Sequence, residues 1–535
     1  MPYDHSPVSS DQWTLAHVFA QRVAEHGSRT LLLAGGRTMT YAHVDARASA
    51  LAAGLAELGV ESGDRVAINL PNCAEWVIAL LACAKLGAVV VPVNPRLGYH
   101  ELKYLLRHAE VSTAFTAERF DGVDYLQTFE DLIAELPDLQ YLVTVGKEEL
   151  WYDDRIFQFE DLVSSGEGRE FVAPATLGDA SDLALLYGVG PDGKPRGARL
   201  SHRAVVETAV RTGEAVEVDP TDRILASVPL FTIFGFSVAV GTIAAGATLV
   251  LQEEFRAAEA VRRIEEDRVS VIHGVPTTYH LLMREPGFDP SRFHHLRTGV
   301  IAGGPVGEEL VRRVRRWCDV QIAYGLPEAA TVSVTRFTDA EEKRIGTVGR
   351  PLPGVEVRVL DAATGQPARD AEVGEVTVRG PNVMSGYVRM PGETARVVAS
   401  DGFLRTGDLG ALDAEGYLRI VGRGGAAILR SGYRVVSREV EEQLRVHPAV
   451  RDVRVIGIPH EVLGELVCAC VVLVEGALVS GEELKDFARD TMAEYKVPDM
   501  VRFVDTLPAD ADEGREAARR ELERTVALET TPQDL

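Results

Sequence analysis

A chain of 535 residues, 46% hydrophobic and 25% charged, is ordinary globular material too long for a single core, which excludes extensive disorder and predicts several domains. A formal net charge of −24 excludes nucleic-acid backbones and anionic membranes as partners, because both repel such a surface at long range; an anionic substrate must find local basic residues. Cys73, Cys83, Cys318, Cys468 and Cys470 stand scattered in apolar surroundings without a Cys-x-x-Cys pair, the pattern of reduced, buried thiols, and a cytoplasmic location is expected.

The N-terminus, MPYDHSPVSSDQWTL, is polar and acidic, unlike a signal peptide. The longest apolar stretch, residues 77–93, is broken by Lys85 and Gly87, so no membrane insertion is expected. From residue 14 to about 110, amphipathic helices alternate with short β-rich runs at 65–69 and 88–93, the rhythm of a parallel α/β layer. A second such layer is predicted from apolar strands at 224–229, 248–251, 269–274 and 298–302, with a helix at 257–267 between two of them. After Gly346, GTVGRPLPGVEVRVLD and GEVTVRGPNVMSGY alternate apolar and polar residues between Gly-Pro turns, which predicts a small antiparallel β subdomain. Past Gly422 the chain restarts with a helix at 439–446, strands at 453–458 and 467–474, and a charged helical tail at 513–526. The expected division is residues 1–422 and 423–535.

Residues 183–202, LALLYGVGPDGKPRGARLSH, run from a buried-type strand through a Gly/Pro-rich loop to a helix-opening Ser-His. Gly188, Gly190 and Gly193 form a Gly-x-Gly-x-x-Gly string, which raises a dinucleotide site. Pro195 and Gly197 would interrupt the helix that such a loop must open into, and the neighbouring motifs point elsewhere.

Those motifs are NLPNCAEWVIALLACAKLGAVVVPVNP, VPLFTIFGF, IAGGPV, AYGLPEA, RGPNVMSGY, DGFLRTGDLG, GYLRIVGR, SGYRVVSREVEEQL and EYKVPDMVRFVDTLP. In this order and spacing, over residues 13–522, the chain resembles the adenylate-forming superfamily of acyl-CoA synthetase type. The resemblance implies an α/β fold, with a large N-terminal domain of layered αβ subdomains plus a small β subdomain, and a small mobile α+β C-terminal domain that rotates over the active site. It implies attack of a carboxylic acid on the α-phosphate of ATP, with magnesium, then transfer of the acyl group to a thiol of CoA or phosphopantetheine, the latter on a carrier protein. It places Tyr324 on the adenine face beside Gly303 and Gly304, Asp408 on the ribose hydroxyls, Arg423 on the nucleotide and Glu328 at magnesium. Stacking surface, charge-assisted bonding and oxygen ligation are the chemistry those residue types supply. Each also has a plain structural role open to it: a core aromatic, a turn carboxylate, a linker charge, a helix-end acid.

The chain departs from the family pattern on the phosphate side. The loop keeps Gly190 and Gly193 for close backbone approach, with Lys194 and Arg196 as its cations, but the usual hydroxyl positions are Gly188, Val189, Pro191 and Asp192. Each lost hydroxyl forfeits about 1 kcal/mol, so a weak hold on pyrophosphate is predicted. Pro327 stands where a phosphate-binding threonine is usual, Thr232 where many relatives carry histidine near the acyl group, and Gly424, Gly425 and Ala426 form an unlatched hinge. Arg515 is the nearest match to the family's C-terminal catalytic lysine, and a surface arginine paired with Glu513 or Glu516 is the alternative. Two functions remain open: an acid–thiol ligase, and a divergent relative that no longer uses ATP and acts on an acyl thioester or as a noncatalytic binding protein. Small apolar stretches at 231–236, 298–304 and 323–330 suggest a medium apolar or aromatic acyl group.

Overall fold

The computed structural model describes residues 13–147, 153–169, 177–190, 194–361, 364–423 and 427–507. A nine-stranded and an eight-stranded sheet hold most of the chain before Arg423. At the centre of the first, Thr298–Ile301, Val271–Gly274, Arg223–Ala226 and Thr248–Leu251 lie parallel and almost wholly buried. Burial on both faces explains why these strands read as unbroken apolar runs. The predicted strand 224–229 stops at Ala226, and the following Ser227, Val228 and Pro229 line a cleft instead.

At the centre of the second sheet Arg65–Asn69 pairs in parallel with Val89–Pro92. Beside them Asp182–Val189 turns back into Pro195–Ser201 as an antiparallel pair. The segment after the Gly-rich loop is therefore a strand first, and the helix His202–Ala215 begins only at the Ser201 cap, whose hydroxyl accepts from the Ala204 amide at 3.1 Å. Pro195 is tolerated because it is the first residue of its strand.

Helix Ala74–Leu86 is buried on every face except at Lys85, and helix Ile233–Ala245 is buried over most of its length. Helices apolar all round belong to an interior. The two meet where Trp76 packs edge-on against Phe236, ring centroids 5.8 Å apart, which joins the crossovers of the two sheets into one core. Helix Ile233–Ala245 ends at Gly246, whose left-handed φ of 73° a side chain would resist.

A four-stranded antiparallel sheet, Glu356–Leu360, Gly374–Arg379, Leu404–Leu412 and Leu418–Arg423, carries the alternation expected after Gly346. Gly386–Tyr387 leaves that run and pairs with Ala198 and Arg199 in the eight-stranded sheet. The C-terminal sheet is built on the hairpin Val450–His460 and Gly464–Leu473, with helices Ser437–Arg445 and Gly481–Thr491 burying Val440, Leu444, Leu484 and Ala488 against it. Among the described residues no helix is long and apolar enough to cross a membrane. The predicted tail at 513–526 and the hinge glycines lie outside the described residues.

Two deeply buried histidines make stability acid-sensitive. His202 accepts from the Leu15 amide at 3.2 Å and His273 ends a central strand; burial lowers both to about 4, from 6.5. Between those values the unfolded chain binds the extra protons, so stability is intact above about pH 6.5 and falls towards pH 4, by roughly 3 kcal/mol per histidine. His202→Asn, which keeps an acceptor for Leu15, should remove its share of the fall in Tm between neutral and acid pH in scanning calorimetry. An unchanged acid slope would disprove this.

Candidate active site

The carboxyl ends of the parallel strands open into a cleft of about 1340 Å³. Open α/β sheets bind ligands at this edge, because helix N-termini and loops converge there. Thr232, Gly303, Gly304, Tyr324, Glu328 and Asp408 all line it. Tyr324 lies on the long strand Asp319–Leu326, and its hydroxyl donates to Asp408 Oδ2 at 2.6 Å. Asp408, only 6% exposed, comes from the antiparallel sheet, so this bond joins two sheets across the cleft. Arg423 stands opposite Asp408 in strand register; its side chain lies outside the described residues. Gly303 has φ of 81°, and a Cβ there would meet Val275 at 3.2 Å, so the cleft floor depends on bare backbone.

On the other side of the cleft the polar groups are engaged with one another. Glu328 sits in the turn between Asp319–Leu326 and Ala330–Val334, where Tyr387 donates its hydroxyl to Oε1 at 2.9 Å. Burial first, and then the Glu328 charge, push the Tyr387 phenol well above its ordinary range, so it is a donor at any working pH. Arg196 forms an ion pair with Glu393 at 2.9 Å and lies 5.7 Å over the Tyr387 ring, with its side chain about one-tenth exposed. Neither Arg196 nor Lys194 lines the cleft. Gly190 closes the hairpin by donating to the Lys194 carbonyl at 2.9 Å. Pro327 packs near its base, 3.7 Å from where a Gly188 Cβ would stand. Gly193 and Arg515 lie outside the described residues.

Thr232 caps helix Ile233–Ala245: its hydroxyl accepts from the Gly235 amide at 3.1 Å and donates to the Pro229 carbonyl at 2.8 Å. A capping hydroxyl with both bonds made is a fixed wall of the cleft, not a swinging gate.

The C-terminal sheet closes the far side. Lys496, its side chain 3% exposed, bonds to Glu439 at 2.6 Å and to Glu101 of the N-terminal domain. Thr277 donates to the Val462 carbonyl at 2.8 Å, Arg284 pairs with Glu461 at 2.8 Å, and Ser431 to Arg434 face the cleft. Sequence reasoning does not find Lys496, Tyr387 and Glu393 as site residues. Lys496 stands in a quoted motif, EYKVP, but its partner Glu101 is hundreds of positions away; Tyr387 and Glu393 reach Arg196 only through the pairing of Tyr387 with Ala198.

A family model described as AMP-binding enzyme matches residues 19–388, and one described as AMP-binding enzyme C-terminal domain matches 439–512. The chain is 34% identical over 495 residues to a putative acyl-CoA synthetase, YngI, of Bacillus subtilis, covering 88% of this chain and 89% of that one. It is 31% identical over 531 residues to a long-chain-fatty-acid–CoA ligase of the same organism, covering 95% and 94%. Among solved structures, the amide bond synthetase McbA from Marinactinospora thermotolerans superposes with a TM-score of 0.82 at 28% identity, over 92% of this chain and 97% of that one.

Proposed function

The chain belongs to the AMP-binding enzyme family, adenylate-forming ligases of acyl-CoA synthetase type, and from that membership we propose that it activates a carboxylic acid with ATP and passes the acyl group to a thiol such as CoA. The acid oxygen attacks the α-phosphorus and pyrophosphate leaves; the thiol sulfur then attacks the acyl carbon and AMP leaves. The observation that carries this is the convergence of Tyr324, Asp408 and the bare backbone of Gly303 on one cleft, a stacking face, a buried acceptor and a flat floor suited to adenosine. Glu328 would hold magnesium through one carboxylate, with phosphate oxygens and waters completing the shell; that single-carboxylate mode is usual for this cation, and Glu328 lines the cleft. The named relatives include acid–CoA ligases and an amide bond synthetase, so a thiol acceptor rests on the former.

A second proposal, a relative that has left ATP chemistry for an acyl thioester or for binding alone, is favoured by the phosphate side, where Arg196 is turned to Glu393 and Tyr387 holds Glu328. Pyrophosphate release over a panel of acids, with titration of ATP, AMP and CoA, separates the two. Release with any acid supports the ligase; none with any acid, alongside bound CoA or acyl thioester, supports the second.

Pro327→Thr restores a hydroxyl on the turn that carries Glu328 and should raise kcat/KM for ATP by about tenfold to a hundredfold, the worth of one hydrogen bond to a charged oxygen. An unchanged or lower value would mean that the turn does not touch phosphate.

A further inference from the structure

The turn that carries Glu328 is gripped from one side by the segment 382–387. Asn382, fully buried, donates Nδ2 to the Ala329 carbonyl at 2.8 Å, the Met384 amide donates to the Glu328 carbonyl at 2.8 Å, and the Tyr387 hydroxyl donates to Glu328 Oε1 at 2.9 Å. Ala330, where the turn enters the next strand, has a left-handed φ of 43°, a backbone that a side chain resists, so the turn is held against its own preference. The first two bonds hold its backbone, and the third falls on the carboxylate itself.

Tyr387 is only 8% exposed; its amide donates to Thr394 Oγ1 at 2.9 Å, its backbone pairs with Ala198, and Arg196 covers its ring at 5.7 Å. Glu328 lines the cleft and Tyr387 does not, so the phenol ties one carboxylate oxygen back into the wall. Among the described residues Glu328 Oε2 makes no hydrogen bond and Glu328 no ion pair, while Arg196 is paired with Glu393 at 2.9 Å. A phenol is a neutral donor, so Glu328 keeps the charge that a guanidinium partner would offset. No group of three or more His, Cys, Asp or Glu side chains able to hold a metal exists among the described residues, so a cation at Glu328 draws its other ligands from phosphate and water.

We propose that Tyr387 is a positioning residue that selects the cation accompanying ATP: by holding Oε1 it leaves Glu328 to ligate through Oε2 alone, which favours magnesium over calcium. This rests on the ATP- and magnesium-dependent ligase function proposed above for the cleft. Magnesium is small, keeps a strict octahedral shell and needs only one carboxylate oxygen beside phosphates and waters; calcium is larger, gathers more oxygens and readily takes both oxygens of one carboxylate. At Glu328 an ion that seeks both oxygens must share Oε1 with the phenol, whereas an ion that takes one leaves that bond intact.

The test is calorimetric titration of ATP into the whole protein with magnesium and, separately, with calcium, with AMP in EDTA as the reference for the nucleotide site. The wild type should bind ATP about tenfold tighter with magnesium than with calcium, the worth of the contested bond. Tyr387→Phe, which keeps the ring under Arg196, should bring that ratio to within about twofold of one by strengthening the calcium complex. Glu328→Gln, which keeps the phenol and removes the charge, should lose the preference by weakening the magnesium complex. A wild type without preference, an unchanged ratio in Tyr387→Phe, or a preference retained in Glu328→Gln overturns the inference, since a phenol that only braces the turn changes both complexes alike. No binding of ATP with either cation overturns it together with the ligase. Pyrophosphate release is read separately: a preference lost in both variants without release from any acid upholds this inference and sinks the ligase, and release with an unchanged ratio in Tyr387→Phe does the reverse.

Discussion

Asp408→Ala is expected to lower the affinity for AMP and ATP by about a hundredfold, with a matching loss in kcat/KM. The carboxylate is nearly enclosed, and hydrogen bonds to a charged group contribute roughly 1.5–3 kcal/mol each, so losing the ribose pair removes about 3 kcal/mol or more. The variant also removes the Asp408 Oδ2 acceptor to which the Tyr324 hydroxyl donates at 2.6 Å. Asp408→Asn keeps the shape and loses the charge, and should fall between wild type and Asp408→Ala. Tyr324→Phe removes only the hydroxyl bridge and leaves a stacking ring, so its effect on AMP should be small. Titration of AMP into the three variants gives the order directly; equal affinity for wild type and Asp408→Ala would remove Asp408 from the nucleotide site.

Lys496→Met is expected to destabilise the protein by about 3–5 kcal/mol, because it leaves Glu101 and Glu439 facing each other in a partly dehydrated gap with no counter-charge. An exposed pair sets the scale: Arg262 and Glu266, both more than half exposed at 2.8 Å, should change stability by at most about 0.5 kcal/mol when Arg262 is replaced by alanine. Burial alone would lower the Lys496 pKa, but Tyr495 and the two carboxylates outweigh it and hold the ammonium above its ordinary range. A raised pKa gives stability that is complete below the unfolded value and lost only as pH climbs through the folded one, so the contact persists at neutral pH and weakens in strong alkali. Lys496→Met combined with Glu101→Gln should recover some of the loss in Tm; no recovery would mean that Lys496 acts by packing and not by charge.

The sheet cores are legible because burial on two faces writes itself into consecutive residues: the apolar runs locate Thr248–Leu251 to the residue, and Val271–Gly274 and Thr298–Ile301 within two. That Tyr324, Gly303 and Asp408 meet at one cleft is legible for another reason, since each stands in a short motif that brings its own backbone shape. What cannot be read is held by partners distant in sequence. Pro195–Ser201 reads as part of a Gly/Pro-rich loop ahead of the helix, and its strand pairing is not seen because nothing local reveals that Gly386–Tyr387 will pair with it. The engagement of Arg196 with Glu393 depends on that same pairing.

Gly432 has a use beyond its turn. With φ of 83°, it lies so close to Val275 that an added Cβ would stand 2.8 Å from Cγ1, so the two halves of the chain touch through a gap narrower than a methyl group. A fit that fine works as a gauge: beside the Lys496–Glu101, Thr277–Val462 and Arg284–Glu461 contacts, it ties the seating of the C-terminal domain to the absence of a side chain at one position. Any side chain at this position meets Val275, and the set of residues substituted there becomes a graded set of shims for measuring how closely the two halves must approach.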